Sequence, residues 1–303
     1  MAEIHPPTID PQAARRWRGM LPSESPWLHE EVAKRMQERL DWIKQQPESW
    51  LHWAPLNGGM QAHGLLAQRY PKALGTVLET SPERAQYVER CLAQPWWKAK
   101  RWLQQPAQVS TQVTQTAQML WANMSLHMAA DPQALMSQWH SALQVDGFLM
   151  FSCLGPDTLK ELRALYRSLG WPAPSHEFTD MHDWGDMLAA AGFAEPVMDV
   201  ERITLTFDSP QRLLQELRGL GRNLHVGRFP ALRGRCWHAE LLAAVSNAPL
   251  QLTFEVVYGH AFKPAPRLAV SAQSEISLDQ MRAALARSKT TGAASAPKGG
   301  KDD

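Results

Sequence analysis

The 303-residue chain carries almost no net charge. Its 31 lysines and arginines against 30 aspartates and glutamates leave +1, so no strong overall field favours nucleic acid or a membrane surface. Cysteine is scarce. Cys91, Cys153 and Cys236 are odd in number, widely spaced and without a Cys-x-x-Cys, which argues against a disulfide framework or a zinc site and for buried reduced thiols. Long apolar runs are missing too. No segment reaches bilayer-spanning length, and "MAEIHPPTIDPQAARRW" has no apolar signal core, so the reading is a soluble, cytoplasmic protein. Internal repeats are absent, and acidic residues are absent from 94 to 117.

What is present is an ordinary globular composition, 44% apolar and 20% charged, with thirteen tryptophans available for a core or an apolar pocket. "SPWLHEEVAKRMQERLDWIKQQP" predicts an amphipathic helix with Ser25 as its cap and Pro26 in its first turn. "WLHWAP" and "ALGTVLE" read as buried strands. Each is followed by a helical stretch, "MQAHGLLAQRY" and "SPERAQYVERCLA". That alternation implies parallel pairing with helices over the sheet. Residues 94–116 resist classification. "AQMLWANMSLHM" gives a strand and loop, "DPQALMSQWHSAL" a helix and "FLMFSCL" another buried strand. Two helices follow, in "PDTLKELRALYRSLG" and "DMHDWGDMLAAAGF". The chain then reads as two extended segments, "VMDVERITLTF" and "LQLTFEVVYGHAF", separated by two helices. Residues from about 286 onward are low-complexity and predicted to be disordered.

Three stretches carry a more specific message: "FSCLGPDTLKELR" (151–163), "HEFTDMHDWGDMLAAAGFAEPVMDVERITLTF" (176–207) and "LTFEVVYGHAF" (252–262). With "WANMSLHM" they closely resemble the malonyl-acyl-carrier-protein O-methyltransferases of biotin synthesis, over roughly residues 10–265 and most strongly from 119 onward. The resemblance implies an α/β class I methyltransferase fold. Its mostly parallel, Rossmann-like sheet would have helices on both faces, an antiparallel final strand and a helical lid insertion. It also implies an N-terminal extension (1–25), a methyltransferase-like domain (26–265, lid at about 209–246) and a tail (266–303).

The implied reaction is methyl transfer from S-adenosyl-L-methionine to the free carboxylate of a malonyl thioester. Malonyl-acyl-carrier protein or malonyl-CoA would be the partner, with no nucleic acid or membrane, and the protein would be a monomer. A carboxylate is ionised at neutral pH, so no general base is required, only alignment with the sulfonium methyl. Two other readings stand beside this one. One is a non-catalytic relative that binds carrier protein or another partner, and the other is a methyltransferase acting on another small acid.

Read onto this chain, the cofactor site is degenerate. Glu79 ends "GTVLE" before "TSP", as in the family's ribose-binding acid-x-Ser-Pro, and lies 21 positions after Gly58. The family's three glycines fall on Leu56, Gly58 and Met60 or on Ala54, Leu56 and Gly58, depending on the anchor. Gly59 offers some added freedom, and Leu56 is expected to bring a side chain where the cofactor touches backbone. The acid expected at the end of the first strand is replaced by Ala54 or His52. Gln118 stands where an aspartate usually opens the fourth strand, and Asn123 matches the family's Ser-Asn pair. Arg218 and Arg222 are the expected positioning residues for the substrate carboxylate. His182 is a further positioning candidate, its other role being a helix cap with Asp183. "RGLGRNLHVGRFP" is a basic stretch able to meet an acidic carrier protein.

Overall fold

The computed structural model describes residues 9–21, 25–93 and 107–266. The predicted disorder from 286 and most of the unclassified 94–116 stretch lie outside these. The strands are β1 (Ser49–Trp53), β2 (Leu74–Leu78), β3 (Gln108–Ser110), β4 (Ala117–Ala122), β5 (Leu143–Leu154), β6 (Ala194–Thr206) and β7 (Gln251–Phe262). They form one sheet in the order β3-β2-β1-β4-β5-β7-β6. β1 to β5 are parallel, and β7 runs antiparallel to both β5 and β6. The antiparallel final strand is therefore present.

Alternation along the central strands sends side chains to two cores. Trp50, Met119, Trp121, Phe148 and Met150 face one layer, which includes Leu28, Val32 and Met36 of α2 (Trp27–Arg39) and Leu66 of α4 (Gln61–Arg69). Leu51, Trp53, Leu120, Leu149 and Phe151 face the other. There they meet Met136 and Trp139 of α6 (Pro132–Ala142) and Met187 and Leu188 of α8 (Met181–Ala190). Of the two helices predicted between β6 and β7, α9 spans Pro210–Leu220 and α10 spans Arg235–Ser246.

The structure adds elements with no clear sequence signal and corrects several readings. α1 (Pro11–Gly19) lies within the expected extension, and α3 (Pro55–Gly58) is a single turn after β1. Asp10 caps α1 through bonds from the Gln12 and Ala13 N–H groups. Ser25 does not cap α2. Its hydroxyl accepts from the Met60 N–H, at the start of α4 (3.1 Å). Of the cysteines, only Cys153 is buried, where desolvation raises its thiol pKa; Cys91 and Cys236 are exposed. Among the described residues, no helix is long and apolar enough to cross a membrane.

Candidate active site

The strand order reverses between β1 and β4. From β1 the chain builds outward through β2 and β3, then crosses to β4 on the other side. In open α/β sheets a ligand sits outside the carboxyl ends of the strands at such a switch point. A cavity of about 1000 Å³ opens there. Its lining includes Trp53 and Ala54 at the end of β1, Leu78, Glu79 and Thr80 at the end of β2, Thr111 and Gln112 beyond β3, and Met124 and Ser125 beyond β4. That volume and mixed lining fit a nucleoside-sized ligand.

The turn after β1 bears on the choice between the two glycine registers. Ala54 has φ 48° and ψ 53°, the left-handed region that favours glycine. The register that places the family's glycines on Ala54, Leu56 and Gly58 matches this backbone. Gly58 is required sterically, since a Cβ there would lie 2.6 Å from the Asn123 carbonyl oxygen. Gly59 has φ 110° and faces the Glu30 carboxylate. Leu56 does not enter the cavity. It packs with Val77 and with Val88 of α5 (Pro82–Leu92), so the expected obstruction of the cofactor is not what this side chain does.

Asn123 is fully buried. Its side-chain amide donates to the carbonyls of His29 (2.8 Å) and Gly58, while its Oδ1 accepts from the Ser152 hydroxyl. It ties the β1 turn, α2 and β5 together. Burial pushes the His29 pKa down to about 4, against its bond to the Asn57 carbonyl, so this imidazole is neutral at physiological pH.

Glu79 borders the cavity, yet its carboxylate is fully buried. The Leu56 N–H donates to Oε1 at 2.9 Å. Oε2 accepts from the Thr80 N–H (3.3 Å) and from Arg84 Nε (2.8 Å). Arg84 is equally buried, and its remaining donors reach the carbonyls of Arg18 (3.2 Å) and Met20 (2.7 Å) and the Asn57 side-chain oxygen (3.2 Å). Nothing in the sequence signalled this ion pair beyond a spacing of five residues.

Two expected residues lie elsewhere. Gln118, the second residue of β4, does not border the cavity; its Oε1 accepts from the Glu48 N–H (2.7 Å). His182 is exposed on α8, borders none of the cavities described here and does not cap the helix. Asp180 is the cap, accepting from the His182 N–H (2.8 Å). Arg218 and Arg222 do come together, bordering a second cavity of about 390 Å³ between α9 and α7 (Lys160–Ser168). Met128 and Leu220 border both cavities. Among the described residues neither arginine has a carboxylate partner. Arg222 donates to the Arg218 and Gly221 carbonyls and lies 5.5 Å from the Trp17 ring. Burial and the neighbouring Arg218 lower its pKa from the usual arginine value. His176, also on this cavity, has its pKa pushed down to about 4 by burial. The second cavity thus presents positive charge and a neutral imidazole, a setting for an anionic group.

A protein of Laribacter hongkongensis (strain HLHK9) named malonyl-acyl-carrier-protein O-methyltransferase is 38% identical to this chain over 252 residues, spanning 79% of this chain and 84% of that one. The chain belongs to the malonyl-acyl-carrier-protein O-methyltransferase family. Proteins of the same name from Gallionella capsiferriformans (strain ES-2) and Nitrosospira multiformis are 39% and 34% identical, each over 80% of this chain. No family model matches the chain. Among solved structures, a Bacillus halodurans C-125 protein named as a methyltransferase superposes with a TM-score of 0.52 at 12% identity, over 78% of this chain and all of that one. The YcgJ protein of Bacillus subtilis gives 0.51 at 10% identity, over 78% of this chain and 99% of that one. Both show the class I methyltransferase fold. Within the family frame, sequence reasoning missed Trp17, Thr111 and Gln112 as cavity residues. The first lay in the supposed extension, the other two in the unclassified stretch before β4.

Proposed function

We propose that this family member catalyses S-adenosyl-L-methionine-dependent methylation of the free carboxylate of a malonyl thioester in biotin synthesis. The observation that carries it is the pair of adjoining cavities, one at the switch point and one lined by two arginines that have no carboxylate partner among the described residues, sharing Met128 and Leu220. The first has the volume and mixed lining for the cofactor, with Thr80, Thr111, Gln112 and Ser125 available to its nucleoside and methionine ends. Glu79, Gly58 and Gly59 stay in the proposed cofactor site, Glu79 as ribose acceptor and the two glycines as the turn. The cofactor, when bound, would supply an electrophilic methyl group and depart as S-adenosylhomocysteine, a reaction that asks no proton transfer of the protein. The protein's part is placement. Arg222, with Arg218, orients the carboxylate, and the buried apolar side chains of Leu162, Phe178 and Phe254 in the second cavity limit the water that would otherwise solvate it.

The partner in this reading is malonyl-acyl-carrier protein. From 217 to 239 the chain carries Arg218, Arg222, Arg228, Arg233 and Arg235 and no acidic residue, and Leu232 is fully exposed among them. That surface complements an acidic carrier beside the mouth of the second cavity. The test is mass spectrometry of malonyl-acyl-carrier protein after incubation with protein and cofactor. A methyl ester is expected, and Arg222→Leu should lower kcat/KM by at least about tenfold, the order of one lost charge-assisted contact. Absence of any ester, together with no calorimetric signal for S-adenosylhomocysteine, would leave the non-catalytic reading in its place.

A further inference from the structure

Helix α1 lies like a strap beside the larger cavity and is anchored at both ends. At its start the Asp10 N–H donates to the Leu224 carbonyl (2.8 Å) and Arg228 Nη2 donates to the Asp10 carboxylate (2.7 Å). At its end Arg84 Nη1 binds the carbonyls of Arg18 and Met20, while Trp17 and Arg18 border the cavity. The second anchor is thus the guanidinium that also occupies Glu79. A carboxylate offers about four acceptor positions, and three are taken by Leu56, Thr80 and Arg84. Two vicinal hydroxyls of a ribose need two positions. Of the three donors, Leu56 and Thr80 are backbone groups fixed by the turn and by β2, so Arg84 is the one able to move.

We propose that Arg84 is a latch: the two hydroxyls of a ribose displace it from Glu79, and its departure releases the Arg18 and Met20 carbonyls and frees the end of α1. This rests on the larger cavity being the cofactor site, and it makes ligand entry and loosening of α1 a single exchange. No covalent bond is made or broken. The guanidinium gives up one acceptor pairing, and the ribose takes it. Occupancy of Glu79 by Arg84 reduces the apparent affinity to the intrinsic affinity multiplied by the unlatched fraction.

The test uses the full chain with S-adenosylhomocysteine as probe. Hydrogen exchange should show residues 14–20 losing protection on addition of the probe, while residues 111–116, which border the cavity beyond β3, gain it. Calorimetry should show Arg84→Met binding the probe roughly tenfold more tightly than wild type, with Arg84→Lys in between, since an ammonium keeps the charge but not the fork. If Arg84→Met does not fold, Arg84→Lys and the wild-type exchange pattern decide. Probe binding that raises protection at 14–20, with neither variant binding more tightly, overturns the latch and leaves the cofactor site standing. No binding by wild type or any variant overturns the cofactor reading and the latch with it.

Discussion

At the scale of single residues, two neighbours in one turn have opposite physics. Ala54 holds a left-handed backbone with a side chain, and Leu56 fills a small core with Val77 and Val88. Ala54→Gly removes the strain of the former and should raise stability by about 1 kcal/mol. Leu56→Gly empties a buried site and should cost about 3–5 kcal/mol with no tighter cofactor binding. Urea titration of both variants, with calorimetry against S-adenosylhomocysteine, checks the pair; a Leu56→Gly protein that binds more tightly would contradict the packing. The spacing from Gly58 to Glu79 was legible in the sequence because it is set by one strand-helix-strand unit. That Leu56 points away from the cavity, and that Arg84 seats on Glu79, was not. Both depend on α5 and α1 arriving from elsewhere in the chain.

At the scale of elements, the helices and strands with clean periodicity were legible, from α2 through β7. α3, α1 and β3 were not, being too short or too polar for a period to show. Helix ends were the weakest point, because a cap is chosen by what stands nearby in space. Glu30 shows this. It sits in the first turn of α2 but accepts from the N–H groups of Met60 (2.9 Å) and Gln61 (3.1 Å), capping α4 from another helix. Burial raises its pKa, opposed by its bonds to Ser25, Gln61 and Met60. Glu30→Ala should therefore cost about 1–2 kcal/mol, as an N-cap loss does. The loss should localise to α4, read as faster hydrogen exchange at residues 60–64 than in wild type. Uniform acceleration across the sheet would show a different cause.

At the scale of the whole molecule, buried histidines set an acid limit. Burial holds His29, His63 and His176 at about 4 and pushes His52 and His127 well below the ordinary histidine value. The unfolded chain protonates these groups near 6.5 while the native protein does not. Their stabilisation is therefore complete above about pH 6.5 and is lost as pH falls toward 4, each contributing on the order of 1–3 kcal/mol. Glu30 and Glu255, both raised mainly by burial, act in the opposite sense only near the carboxylate range. Urea midpoints should fall steadily from pH 7 to pH 5, and a flat profile would contradict neutral native imidazoles.

Strand order carries a consequence for synthesis. β7 lies between β5 and β6, and the eight residues Leu252–Gly259 of β7 are buried. A nascent chain leaving the ribosome presents the twelve residues of β5 and the thirteen of β6 before the strand that joins them has been translated. Both edges are open during that interval, and open edges are templates for aggregation. Stalling before residue 251 should thus yield chains held by chaperones and sensitive to protease at 194–206, and translation of the last strand should release them.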